Sequence, residues 1–246
     1  MYLKKYNLKR KVAVVTGAGK GLGKACAIAL AEAGANLLIV SRTKKDLDQV
    51  SKIIKKFKVK CKSYTCDITN YNQIDSYFDK LSKVDILVNN AAINYCKSIE
   101  EISLDEWQSV IDTNLTAYFY IIQKCLPLME KGSKIVNVSS IAGRSKSLVS
   151  GVHYTSSKAG LIGLTRQLAQ ELGPKGININ CVCPSQTLTP MLERSMTREQ
   201  LSDLENKIPL RRVAQVDEVV KPILFLCSEA ASYIHGACLD VNGGQL

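Results

Sequence analysis

Short apolar runs alternate with longer amphipathic stretches along most of the chain. Lys11 to Thr16 reads as a first strand and Gly21 to Ala33 as a first helix. Asn36 to Ser41 is a second strand, apolar until its end, as expected when helices cover both faces of a sheet. The next stretch sets Leu47, Val50, Ile54 and Phe57 at helical spacing among lysines, which makes these four core-facing. Further strands are predicted over Val59 to Thr65, Val84 to Asn89, Lys134 to Ser139, Ile177 to Val182 and Ala237 to Val241. Long helices fit Leu104 to Glu130, Tyr154 to Leu172 and Val216 to Ser228, the second of them stopped by Gly173-Pro174-Lys175-Gly176. The connection from Pro184 to Pro209 carries no strand pattern, and long ordered connections often serve as lids or binding loops. This alternation predicts one α/β domain over residues 1–246, built on a doubly wound parallel sheet of about seven strands with helices on both faces.

Composition narrows the class. Hydrophobic residues make up 46% and charged residues 22% of the 246, an ordinary globular balance. No apolar run reaches the roughly 18 residues of a membrane span, and the basic start Met1-Tyr2-Leu3-Lys4-Lys5 lacks the apolar core of a signal peptide. Nine cysteines lie scattered without framework spacing, an odd number that points to reduced thiols and a cytoplasmic location. Cys181-Val182-Cys183 invites a metal reading, but residues two apart in a strand merely share a face. Small buried hydrophobes are the preferred reading, with no metal site. The formal charge of +11 is Lys-rich, yet no aromatic stacking pattern accompanies it. A solvated surface is therefore preferred over nucleic-acid binding, and the charge favours a polyanionic cofactor.

Two local patterns carry chemistry. Thr16-Gly17-Ala18-Gly19-Lys20-Gly21-Leu22-Gly23 lies between an apolar strand and a helix, where glycines let the main chain approach a pyrophosphate at the helix N-terminus. Val40-Ser41-Arg42-Thr43 ends the second strand with no carboxylate for a ribose 2′-hydroxyl, and Asp46 and Asp48 come later, in the next helix. Arg42 and Lys20 can flank a 2′-phosphate instead, so NADP(H) is expected ahead of NAD(H). Tyr154 and Lys158 stand four apart and share a helix face. A cation close to a phenol favours the phenolate, which brings a group that titrates near ~10 toward useful acid/base chemistry.

With Asn89-Asn90-Ala91-Ala92, Asn114, Ser140 and Asp240-Val241-Asn242-Gly243-Gly244 in order beside these patterns, the chain resembles the classical short-chain dehydrogenases/reductases. The resemblance covers nearly the whole chain and implies a Rossmann-type fold and hydride transfer between a nicotinamide and a carbonyl or secondary alcohol. It gives Gly17, Gly21 and Gly23 the pyrophosphate and Lys20 and Arg42 the 2′-phosphate, and it brings Gly19, Leu22 and Ser41 into the same cofactor surface. Asp67 and Ile68 meet the adenine, Asn90, Ala91 and Ala92 pass beneath the cofactor, and Pro184, Thr187 and Thr189 reach its nicotinamide end. Ser140 holds the substrate oxygen and Tyr154 exchanges its proton. Lys158 lowers the phenol pKa and holds the nicotinamide ribose, and Asn114 binds through its main chain a water that links Lys158 to a proton relay.

Two positions depart from the family pattern, Ala92 and Ser185, where glycine is usual. Substrate choice falls to loops at Asn94 to Ser98, Ile141 to His153 and Ser185 to Asn206, with Arg144 and Lys146 read as solvated charges. The resemblance leaves open a 3-oxoacyl thioester, small or carrier-bound, or a sugar or polyol, and it implies a homo-oligomer. A non-catalytic NADP-binding sensor is the alternative of another class, set against by the complete Tyr-Lys-Ser-Asn tetrad.

Overall fold

The computed structural model describes residues 2–147 and 149–246, so Met1 at the basic start lies outside the described residues. Seven parallel strands form one sheet: β1 (Val12–Thr16), β2 (Asn36–Ser41), β3 (Cys61–Thr65), β4 (Ile86–Asn89), β5 (Lys134–Val138), β6 (Asn178–Pro184) and β7 (Cys238–Val241). They lie in the order β3-β2-β1-β4-β5-β6-β7. Every pairing is parallel, with Val14 opposite Leu38 on one side and Leu87 on the other. The order reverses between β1 and β4, and a crevice opens at the carboxyl ends of the strands at such a switch point.

Apolar residues at consecutive strand positions serve opposite faces, because side chains alternate along a strand. Ala13, Val15, Leu37 and Ile39 pack against α1 (Gly21–Glu32), α2 (Lys44–Ile54) and α9 (Val216–Leu226). Val14, Leu38, Val40 and Leu87 pack on the other face against α3 (Tyr71–Phe78), α5 (Ala117–Cys125) and α6 (Val152–Leu172). Leu47, Val50 and Ile54 are buried as their spacing predicts, while Phe57 packs partly buried from a single 3₁₀ turn after α2. Edge strand β3 is mostly exposed.

Three segments differ from the sequence reading. The helix expected from Leu104 to Glu130 is broken into α4 (Leu104–Ile111), a π-helical turn at Asp112–Thr116, α5 and a 3₁₀ turn at Leu126–Leu128. The connection from Pro184 to Pro209 holds two short helices, α7 (Pro190–Ser195) and α8 (Arg198–Lys207), capped by Thr189 and Thr197. Helix α3 has no counterpart in the sequence reading. It buries only Ile74 and Phe78 among polar neighbours, and Asn70 caps it by accepting from the Gln73 N–H.

A buried polar chain ties the middle of the sheet to α6. Asn89 donates to Asn137 Oδ1 at 3.0 Å, Asn137 donates to Thr165 Oγ1 at 3.0 Å, and Thr165 donates to the Leu161 carbonyl at 2.8 Å. All three side chains are fully buried. Asn137→Ala strands the Asn89 amide in an apolar layer, so it is expected to cost about 1–3 kcal/mol. A lower denaturant midpoint at unchanged slope checks this; an unchanged midpoint contradicts it.

Candidate active site

A cleft of about 920 Å³ runs along the carboxyl ends of the strands, with the glycine turn at one end and Tyr154 at the other. The turn leaves β1 at Gly17, whose φ of +65° favours glycine. A Cβ on Gly17 would stand 2.7 Å from Ala91 Cα, and one on Gly23 would overlap the Gly17 carbonyl oxygen. Gly19 faces Ser41 Oγ, which would meet its Cβ at 2.8 Å. Asn90 locks the turn from beneath: its amide donates to the Thr16 carbonyl at 3.1 Å, while the N–H groups of Asn90 and Ala91 donate to Thr16 Oγ1 at 3.0 and 3.2 Å. Gly21 and Leu22 open α1 on the cleft wall. The close approach of main chain to main chain and the exposed start of a long helix fit a dinucleotide pyrophosphate.

At the far end of that wall the electrostatics are mixed. Lys20 pairs with Asp46 at 3.1 Å and Arg42 with Asp67 at 3.9 Å, beside Ser41. Asp46, placed by the sequence reading later in the next helix, returns to the cleft in the first turn of α2. No strand-end pattern announces it. Asp67 is itself held in a turn, accepting from the Thr69 N–H and hydroxyl at 3.0 and 2.8 Å, with Ile68 buried beside it.

The chemistry-bearing groups meet where β5 ends and α6 begins. Tyr154, Lys158 and Ser140 line the same stretch of cleft as Pro184, Thr187 and Thr189. Lys158 is 1% exposed, and its ammonium donates to the Val138 carbonyl at 2.7 Å. It lies 5.5 Å from the Tyr118 ring centroid and 5.6 Å from that of Tyr154. Burial draws its pKa down to about 8. The Tyr154 phenol moves the other way. Burial pushes it up to about 12, against a hydrogen bond from the Ser140 hydroxyl that lowers it. The downward pull expected from Lys158 therefore does not prevail here, because the ammonium is committed to a carbonyl and the phenolate is poorly solvated.

Ser139 and Ser140 divide as strand alternation requires. Ser139 donates to the Lys158 carbonyl at 2.8 Å and so anchors α6, whereas Ser140 is half-buried and accepts from the Ala142 N–H at 3.1 Å. Asn114 is fully buried in the π turn and does not line the cleft. Its amide grips the Ile93 peptide, accepting from N–H and donating to C=O at 2.9 Å each, and donates to Ser157 at 3.1 Å. One turn on, Tyr118 donates to the Ala91 carbonyl at 2.8 Å. The segment from Ala91 to Ile93 is thus held from below by two side chains of one interrupted helix.

The two departures from glycine strain nothing. Among the described residues, positive φ at non-glycine positions occurs at Arg10, Lys58 and Arg211, and neither Ala92 nor Ser185 is there. Arg144, read as a solvated charge, instead makes a two-pronged pair with Asp240 at 3.0 and 3.1 Å. Thr189 caps α7 by accepting from the Leu192 N–H at 3.4 Å, and Thr187 donates to the Ser185 carbonyl at 3.1 Å. Asn94 Oδ1 and Gln186 Oε1 are buried at the cleft and accept no hydrogen bond among the described residues.

A family model described as enoyl-(acyl carrier protein) reductase matches residues 17–245. A 3-oxoacyl-[acyl-carrier-protein] reductase of Aquifex aeolicus is 37% identical over 245 residues, covering 97% of this chain and 98% of that protein. The chain belongs to the short-chain dehydrogenase/reductase family. It is an oxidoreductase acting on CH–OH or C=O groups, in a family that binds a nicotinamide cofactor. The crystal structure of a 3-oxoacyl-[acyl-carrier protein] reductase from Brucella melitensis with bound NAD superposes with a TM-score of 0.90 at 29% identity, covering 100% of this chain and 96% of that one. A candidate NAD(P)-dependent gluconate 5-dehydrogenase from Beutenbergia cavernae, with bound NADP, gives 0.91 at 31% identity and covers 98% of each chain. No helix among the described residues of this family member is long and apolar enough to cross a membrane.

Lys158 gives a pH signature. Its folded pKa of about 8 lies below the ordinary 10.5, so between these values the unfolded chain binds the extra proton. Stability attributable to the residue therefore rises with pH across that window and is penalised below it. The stability of wild type minus that of Lys158→Met is expected to climb from pH 8 to 10.5; a flat difference in denaturant titrations refutes the buried charge.

Proposed function

We propose that the protein is an NADP(H)-dependent reductase that carries a ketone, foremost a 3-oxoacyl thioester, to its secondary alcohol. The nicotinamide, when bound, supplies the hydride. The reading is carried by one observation: Ser140, Tyr154 and Lys158 converge on the cleft that the glycine turn closes at its other end. Tyr154 keeps its proton at neutral pH. It then donates that proton to the oxygen that becomes an alkoxide, while Ser140 hydrogen-bonds the same oxygen. Lys158, with its pKa drawn down to about 8, replenishes the phenol and would hold the nicotinamide ribose of a bound cofactor. Asn114 positions this pair through Ser157 and the Ile93 peptide. The residues supply placement and charge stabilisation, which together account for most of the acceleration in such chemistry.

The preference for NADP(H) rests on Lys20 and Arg42 at the rim. Each has a carboxylate neighbour, but the exposed Arg42–Asp67 pair is weak, and at 3.9 Å it is long enough to exchange for a 2′-phosphate. A hydroxylated substrate of the sugar-acid type is the second reading. The uncommitted acceptors Asn94 Oδ1 and Gln186 Oε1 favour it, since both suit hydroxyl donors.

Two measurements test these assignments. NADPH oxidation followed with 3-oxoacyl thioesters, ketoses, diketones and quinones is expected to select the first class, and Tyr154→Phe is expected to lower kcat by about 10²–10⁴. Equal turnover by the variant removes Tyr154 from its role. Fluorescence titration is expected to show NADPH binding tighter than NADH, with Arg42→Ala weakening NADPH alone by about ten- to a hundred-fold. Tighter NADH binding overturns the part given to Lys20 and Arg42.

A further inference from the structure

Three of the nine cysteines come together behind the cleft, close enough for two of them to act on Lys158. Cys181 and Cys183 project from one face of β6, with their sulfurs 3.9 Å apart. Cys238 on β7 is the register partner of Cys181, and its thiol interacts electrostatically with both of the others. Cys181 and Cys183 are wholly buried with Ile162 of α6 against them, whereas Cys238 is partly exposed. Among the described residues no such group is arranged to hold a metal ion. Small buried hydrophobes would not need sulfur three times in one contact, and the hydride chemistry makes no use of these groups.

Strand geometry decides which pair can bond. Register partners on neighbouring strands stand about 4.8 Å apart, inside the Cα separation that a disulfide spans. Cys181 and Cys183 are two steps apart on one strand, about 6.6 Å, at the upper limit of that span. The electrostatics favour the partly exposed sulfur as the nucleophile. The thiols of Cys181 and Cys183, with the guanidiniums of Arg166 and Arg144 nearby, draw the Cys238 thiol downward, whereas its sulfur neighbours and burial push Cys181 up.

We infer that Cys238 is a hydroperoxide-reactive thiol and that Cys181 closes a disulfide on it between β6 and β7. In the first step the Cys238 sulfur attacks the outer oxygen of a hydroperoxide. An S–O bond forms, the O–O bond breaks, and the alkoxide or hydroxide leaves and takes up a proton. The sulfur is oxidised by two electrons and the peroxide is reduced by two. In the second step the Cys181 sulfur attacks the sulfenic sulfur. An S–S bond forms, the S–O bond breaks, and the hydroxyl leaves as water with the Cys181 proton. A dithiol reductant returns both sulfurs to thiols. Cys183 stays a thiol throughout and donates to the sulfur being attacked.

The test is limited oxidation of the full reduced chain with hydrogen peroxide, followed by alkylation and non-reducing peptide mapping. The expected product has lost two hydrogens, keeps seven of its nine thiols and carries a Cys181–Cys238 link. In Cys181→Ser the reaction is expected to stop at a sulfenic acid on Cys238 that dimedone traps, which reports the first step without the second. Cys183→Ser is expected to form the same link as wild type. The rival target is the exposed Cys96, whose thiol donates to the Val149 carbonyl at 2.8 Å. Oxidation at Cys96 with Cys238 intact, a link through Cys183, or equal reactivity of Cys238→Ser overturns the inference. These readouts involve no turnover and stand apart from the proposed reductase activity.

Discussion

A single ammonium group withdrawn from water organises the Tyr154 end of the cleft. Among the described residues Lys158 makes no ion pair with a carboxylate; its charge is met by the Val138 carbonyl at the end of β5 and by the faces of two tyrosines. A buried cation with so few partners is costly, and the surrounding structure fixes it closely. Ser139 holds the main chain of α6 at that very residue. The chain Asn89–Asn137–Thr165 ties the same helix to the middle of the sheet. The strand that supplies the carbonyl and the helix that supplies the ammonium are therefore locked to each other before any ligand enters.

The two ends of the cleft are built on different principles. At the glycine turn the specificity is steric: main chain meets main chain where no side chain can intervene, and Asn90 stitches the two strands' ends together. At the rim beyond it stand four charged side chains of both signs, Lys20, Arg42 and Asp67 open to water and Asp46 mostly covered. Such pairs are easily exchanged and screened, so this end sets preference rather than shape. Together with Asn94 and Gln186, the rim is where relatives on one framework can diverge without disturbing the framework itself.

Much of this was readable in the chain because the relevant signals are local. The glycine turn between strand and helix, the four-residue spacing of Tyr154 and Lys158, and strands apolar on successive positions each follow from short-range geometry. What escaped was set by tertiary packing. Helix α3 buries two residues and is otherwise polar, so its pattern is faint. Helices α7 and α8 are short and announced only by threonine caps. Asp46 reaches the cleft because α2 begins immediately after β2, a turn of the chain that residue spacing along a strand does not encode. The direction of the Tyr154 shift also lay beyond sequence, because it depends on how much water reaches the oxygen.

The π turn at Asp112–Thr116 has a consequence for chain length. It holds one more residue than an ordinary helical turn would, with the Ala117 N–H reaching back to the Asp112 carbonyl. Deleting a single residue there would leave a sound helix but swing everything beyond it by about 100°. Asn114 and Tyr118 could no longer both reach the peptides of Ile93 and Ala91. Most surface connections absorb insertions and deletions freely. This stretch cannot, because its irregularity is a measured spacer between two grips on the same segment of backbone.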